Sequence, residues 1–135
     1  MKQAVLKKAV ALARKVGHIF VATSDAQGLP HVAAARSMTL RDRGQRVAVE
    51  AWFCPGTMAN LQENRRISLV IWDPDTDQGH QLLGKAEEVE DLAILDGYSS
   101  QLENQAGRPQ AERRLLIRVD KTLAFRHARH TDEQE

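Results

Sequence analysis

Short runs in which apolar and polar residues alternate, separated by turn residues, limit the folds open to this chain more than any other feature. In the run from Val47 to Trp52, the apolar Val47, Val49 and Ala51 share one side, because successive side chains of a strand point to opposite faces. Comparable β-type runs recur along the chain. The predicted strands cover residues 18–23, 29–40, 47–52, 67–72, 80–87 and 115–125.

Polar turns join neighbouring strands, as at Asp25 to Gly28 and at Arg41 to Gly44. Such short Gly-containing connections are typical of hairpins, so consecutive strands should pair antiparallel. Gly84 lies inside a predicted strand, which indicates a bulge or a close approach of backbones where a sheet curls.

Three segments have helical patterns. The first runs from Lys2 to Val16, with an apolar stripe on one face and Gly17 as its stop signal. A short helix follows the Pro55–Gly56 turn and reaches about Asn64, and a third pattern runs from Glu90 to about Gln105. Residues 127–135 form a polar tail.

These elements predict a mainly β fold with peripheral helices, of the α+β class. About six strands in hairpin order do not make a parallel doubly wound sheet, whereas closure into a small antiparallel barrel gives each strand one buried face and leaves no exposed edge. A chain of 135 residues has room for one core, so we expect a single domain over residues 1–135.

Composition narrows the classes of partner. The chain has 19 basic and 18 acidic residues, so its net charge gives no reason to expect that it binds nucleic acid. No apolar run is long enough to span a membrane. The lone Cys54 excludes an internal disulfide and fits a reducing cytoplasm. We expect it to be an inert thiol, and His31, His80, His127 and His130 have no metal-ligand spacing, so no metal site is predicted.

The segment from Pro55 to Asn64 carries the first functional indication. If Thr57 caps the helix, the first backbone N–H groups beyond it point outward with a partial positive charge. A phosphate group would be stabilised there.

Three sets of residues, in order, resemble the flavin-binding split β-barrel family related to pyridoxamine 5′-phosphate oxidase. They are Phe20 to Val32, with its Gly-Leu-Pro-His turn; Thr57 to Ile71, with its Asn-Leu and Asn-Arg-Arg sequences; and Leu83 to Glu87. The resemblance implies an antiparallel six-stranded split β-barrel, a homodimer with FMN in two clefts at the subunit interface, and redox chemistry at the flavin ring.

The resemblance also implies which positions hold the cofactor. Arg36 and Ser37 match the strand residues that bind the FMN phosphate, and Thr57 with Asn60 match the start of the crossover helix. A guanidinium would give paired charged hydrogen bonds to phosphate oxygens. The main chain from Ala34 through Ala35 to Met38 would lie against the flavin, although the alanine run is equally compatible with a packed barrel interior.

Gly56 departs from the pattern, because many relatives carry a lysine before the threonine of this helix. Loss of an ammonium group would weaken phosphate binding. Trp52 and Trp72 would stack on a flavin, cover the dimer seam or simply pack at the barrel rim.

The sequence therefore predicts an FMN-binding protein, as a flavin-dependent oxidoreductase acting on an unknown small-molecule substrate or electron donor. The alternatives are a non-catalytic flavin-binding or sensing module, a relative that binds a deazaflavin or haem, and a barrel that has lost FMN.

Overall fold

The computed structural model describes residues 2–53, 55–91, 111–128 and 132–135. Among them, two α-helices, a short 3-10 turn at Asp42–Gly44 and seven strands are seen. In chain order the elements are α1 (Lys2–Val16), β1 (Ile19–Ser24), β2 (Pro30–Ala35), β3 (Ser37–Arg41), β4 (Arg46–Phe53), α2 (Pro55–Glu63), β5 (Arg66–Asp73), β6 (Gln78–Asp91) and β7 (Ala111–Ala124).

All seven described strands form one antiparallel sheet in the order β2-β1-β5-β6-β7-β4-β3. The prediction of a split β-barrel of the α+β class is confirmed, but the prediction of six strands is wrong. The run expected to be one strand from Leu29 to Leu40 divides at Arg36, since β2 pairs with β1 whereas β3 pairs with β4. The two edges of the sheet are thus consecutive in the chain, and the sheet curls until they meet.

The core lies between the curled sheet and α1. Alternation along β5 places Ile67, Leu69 and Ile71 inside, and α1 contributes Leu6 and Ala9, both fully buried. Burial of a large aliphatic side chain contributes roughly 1.5–3 kcal/mol. Amphipathic packing of this kind, more than helix propensity, holds α1 in place.

Two glycines act as the sequence predicts. Gly17 has φ +85° and its N–H donates to the Ala13 carbonyl at 2.8 Å, which ends α1. At Gly84 the β6–β7 register shifts, and a Cβ there would overlap the Arg118 carbonyl oxygen. The expected close backbone approach is confirmed.

The helix predicted from Glu90 is wrong at its start, because β6 continues through Asp91. Residues 92–105 of that prediction lie outside the described residues. Cross-strand ion pairs hold this end of β6 extended: Arg114 binds Glu50 on β4 at 2.9 Å and Glu90 on β6 at 3.1 Å.

The polar C-terminal segment returns to the sheet. Gln134 forms a bridge to Leu123 of β7, and Glu135 places a carboxylate oxygen 2.9 Å from Nδ1 of His80 on β6. Upstream, Asp77 accepts hydrogen bonds from the backbone N–H groups of His127 and Ala128. The predicted tail is therefore bound at both of its described ends.

Neither described helix has the length and apolar character that a membrane crossing requires.

Candidate functional site

The bend between β2 and β3 presents the first group of predicted cofactor residues. Ala34 and Arg36 are exposed, whereas Ala35 and Met38 are each 4% exposed and belong to the core. The backbone N–H of Arg36 donates to the Glu50 carbonyl at 3.0 Å, so the bend is fixed to β4. A ligand on the outer side could meet Ala35 and Met38 only through their main chain. The interior-packing alternative for the alanine run thus holds for Ala35.

The start of α2 differs from the prediction. The helix begins at Pro55, whose fixed φ suits a first helical position, so Thr57 lies inside the helix and the N-cap assigned to it is wrong. Its side chain is fully buried, and Oγ1 lies 3.4 Å from His31 Nδ1. Pro55 and Gly56 are the exposed residues of this turn.

Two amide side chains fasten α2 to β1. Asn60 Nδ2 donates to Thr23 Oγ1 at 3.1 Å, and Asn64 Nδ2 donates to Ser24 Oγ at 3.0 Å. Asn60, predicted to contact phosphate, is thus engaged in positioning the helix. Its role toward a cofactor stays a prediction.

His31 is the residue in this region to which the sequence assigned no role. It pairs with Thr23 across the β1–β2 hairpin, and a Cβ at Gly56 would lie 3.3 Å from its Nε2. The imidazole therefore occupies the space beside the position where many relatives carry lysine. The sequence signal that could have indicated a role for His31 is its position directly after the turn from Gly28 to Pro30.

The structure brings together some predicted residues and separates others. Thr57 and Asn60 lie with His31 and Thr23 at one end of β2, whereas Arg36 follows the other end of that strand. The separation along the strand from His31 to Arg36 is about 17 Å at roughly 3.3 Å per residue. Ser37 and Met38 continue from Arg36 into β3. One elongated ligand along β2 would be needed to contact both groups.

Trp72 has a structural partner. Its Nε1–H donates to Asp77 Oδ1 at 2.9 Å, which supports the rim-packing interpretation. The Trp52 side chain, Cys54 and His130 lie outside the described residues.

The carboxylate of Asp77 has a pKa well below its ordinary value. Hydrogen bonds from the His127 N–H, the Trp72 indole and the Ala128 N–H stabilise the charged form and lower its pKa to about 2. This group joins the β5–β6 turn to the C-terminal segment.

No group of three or more His, Cys, Asp or Glu residues able to hold a metal occurs in the ranges that the structure describes.

The pyridoxamine 5′-phosphate oxidase family model matches residues 5–125, which covers both the β2–β3 bend and α2. The chain belongs to this family. No curated protein matches it by sequence.

Solved structures share the fold of this pyridoxamine 5′-phosphate oxidase family member. An FMN-binding protein from Syntrophomonas wolfei has a TM-score of 0.68 at 17% identity, over 96% of this chain and 91% of that one. A Clostridium acetobutylicum protein related to general stress protein 26 has a TM-score of 0.64 at 16% identity, over 96% and 93%. HupZ of group A Streptococcus has a TM-score of 0.63 at 22% identity, over 93% and 97%.

Proposed function

We propose that this protein binds FMN and acts as a flavin-dependent oxidoreductase on a small molecule. The family match through residues 5–125 carries the proposal, and the FMN-binding protein of S. wolfei, which shares the fold, supports it. The substrate and the electron donor are left open, since fold alone does not specify a reaction.

The exposed side of β2 and the β2–β3 bend fit such a cofactor. Small Ala34 and the outward Arg36 leave the backbone accessible, and a guanidinium suits a phosphate. Backbone N–H groups of the first turn of α2, at the other end of β2, would meet a different polar part of the elongated cofactor, with Gly56 allowing close approach. Side-chain contact by Thr57 would require its buried hydroxyl to leave His31.

The protein would bind the flavin, orient its ring and shield it from water. Bound flavin supplies the hydride or electron transfer. The main chain from Ala34 to Met38 would orient the ring, and the rigid β3–β4 pairing behind it would keep that backbone in place.

We further propose a homodimer with the cofactor between subunits. Phe20 and Val32 lie on adjacent strands of the outer face and are 42% and 62% exposed. The neighbouring Ala34 and Val70 are cross-strand partners of Phe20. An exposed apolar patch of this kind is typical of a protein interface. We expect the dimer to work in the cytoplasm.

The test is release and titration of the cofactor. Protein purified from cells is denatured, and the released ligand is identified by mass. Refolded or ligand-free protein is then titrated with FMN, for the parent, Arg36→Ala and the control Arg41→Ala, which removes an exposed cation further along β3. We expect Arg36→Ala to weaken binding at least about tenfold through loss of a charged hydrogen bond. Equal binding by the parent and Arg36→Ala would contradict the phosphate position.

The same preparation separates the alternatives. Released haem or deazaflavin would replace FMN as the ligand, and no ligand with no FMN affinity would indicate a barrel that has lost the cofactor. Bound FMN without oxidation of reduced nicotinamides or other donors would favour a flavin-binding module over an enzyme.

A further inference from the structure

A cavity of about 620 Å³ opens where β1 and β5 part. The two strands pair for three residues, ending at Ala22 opposite Ser68. Beyond that point, Thr23 and Ser24 on one side diverge from Ile67 and Arg66 on the other, and Lys85 of β6 completes the rim. The cavity is remote from the bend at Arg36, which follows the opposite end of the β1–β2 hairpin.

Two cations at this cavity face each other without compensation. Arg66 and Lys85 are directly opposite in the β5–β6 register, and like charges in that position destabilise a sheet. Neither side chain forms an ion pair within the described ranges. Among the described residues of the lining, Asp120 is the one carboxylate, and its Oδ1 accepts a hydrogen bond from Arg118 Nε at 3.1 Å.

Three hydroxyl groups in the cavity lining each retain an O–H that can donate. The oxygen atoms of Thr23, Ser24 and Ser68 accept amide N–H groups from Asn60, Asn64 and Gln81, at 2.9 to 3.1 Å. A hydroxyl whose oxygen already accepts retains one O–H to donate, and no acceptor for these protons is found among the described residues. Cations and spare O–H donors together are the complement of an oxyanion.

The remaining lining is apolar, supplied by Ala22, Ile67 and Leu83. We propose that this cavity binds a small phosphate- or carboxylate-bearing molecule, with its oxyanion between Arg66 and Lys85 and its apolar part against Leu83. This site goes beyond the proposed flavin function and does not depend on it.

The experiment titrates the full chain with phenyl phosphate, benzoate and phenol by calorimetry. We expect saturable binding of one or both anions and none of phenol; the stronger anion identifies the head group. Arg66→Gln with Lys85→Gln should lower the affinity at least about tenfold, and Ser68→Ala about threefold. The control Lys7→Gln with Lys8→Gln removes the same charge from the exposed face of α1 and should leave binding within twofold of the parent.

Measurements of thermal unfolding and oligomeric state test whether a loss of binding has another cause. Without ligand, the Arg66 and Lys85 double variant should unfold at the same or a higher temperature, because a like-charge contact is removed. Absence of saturable anion binding, or equal losses in the α1 control, would overturn the proposal. So would dissociation of a dimer by the double variant, since the cations would then pair with a partner's carboxylates. FMN affinity should be unchanged, and competition between FMN and phenyl phosphate would make this cavity part of the cofactor site.

Discussion

At the scale of single residues, Asp77 links two parts of the chain that are distant in sequence. Its carboxylate binds the Trp72 indole and two N–H groups after β7. The folded state lowers its pKa from 3.8 to about 2. Its contribution to stability is therefore present above pH 3.8 and is lost as the pH falls toward 2.

We predict that Asp77→Asn lowers the unfolding temperature at pH 7. We also expect the unfolding temperature of this variant to fall less than that of the parent between pH 4 and pH 2. Asn has one acceptor oxygen and no charge, so it cannot bind three donors as the carboxylate does. Thermal unfolding followed from pH 1.5 to 7 measures the effect. Asp75→Asn, an exposed change in the same turn, is the control and should track the parent. Parallel curves for Asp77→Asn and the parent would contradict the role of Asp77.

At the scale of elements, the bulge in β6 is fixed by a glycine. We predict that Gly84→Ala destabilises the protein by about 3 kcal/mol, because the new Cβ would overlap the Arg118 carbonyl oxygen and push β6 away from β7. Denaturant unfolding measures this loss. Gly56→Ala adds a methyl group inside a helix beside the His31 ring, and we expect a change below about 1 kcal/mol. A near-neutral Gly84→Ala would show that the two strands can shift apart.

The attachment of α2 gives a second prediction at this scale. Asn60→Ala should cost about 1–2 kcal/mol, since the buried Thr23 hydroxyl loses its partner. The companion change Thr23→Val with Asn60→Ala should recover part of the loss, because both polar groups are then removed. Denaturant unfolding of the single and double variants gives the coupling energy.

Local signals predicted most elements and missed those set by distant partners. Gly17, Gly84 and the alternation of β5 are encoded within a few residues, and each prediction was confirmed. In β4 the predicted inner residues are buried, but Ala48 is buried as well, so the alternation there is incomplete. Nothing between Val32 and Leu40 marks a break, so the division at Arg36 arises only from the change of partner strand. Strand β6 likewise extends through an acidic run that Arg46 and Arg114 stabilise from other strands.

The cofactor contacts of the candidate site stay a prediction, but the positions of its residues can be compared with the sequence. The exposure of Arg36 and Ala34 agrees with the sequence pattern. The N-cap at Thr57 was wrong because Pro55 begins the helix two residues earlier. The contact of Thr57 with His31 could not be read from spacing, since it joins residues 26 positions apart.

At the scale of the whole molecule, the outer face of β1 and β2 forms the subunit interface of the dimer that we propose. We predict that Phe20→Glu with Val32→Glu converts the dimer to a folded monomer, because both side chains are exposed within one subunit. Light scattering after size-exclusion chromatography measures the mass, and circular dichroism verifies folding. Val89→Glu, an exposed apolar position on β6, is the control and should remain dimeric. A dimer in both variants would place the interface elsewhere.

The sharp passage from β2 to β3 also bears on solubility. Open sheets offer free backbone donors and acceptors along their two outermost strands, and these can recruit other chains into fibrils. Here a single residue, Arg36, joins the two outermost strands and is itself hydrogen-bonded to β4. Because the same residue connects β2 and β3, neither outermost strand can easily move away and pair with another molecule, which limits fibril growth. We expect that proteolytic cleavage beside Arg36 would free both strands for such pairing.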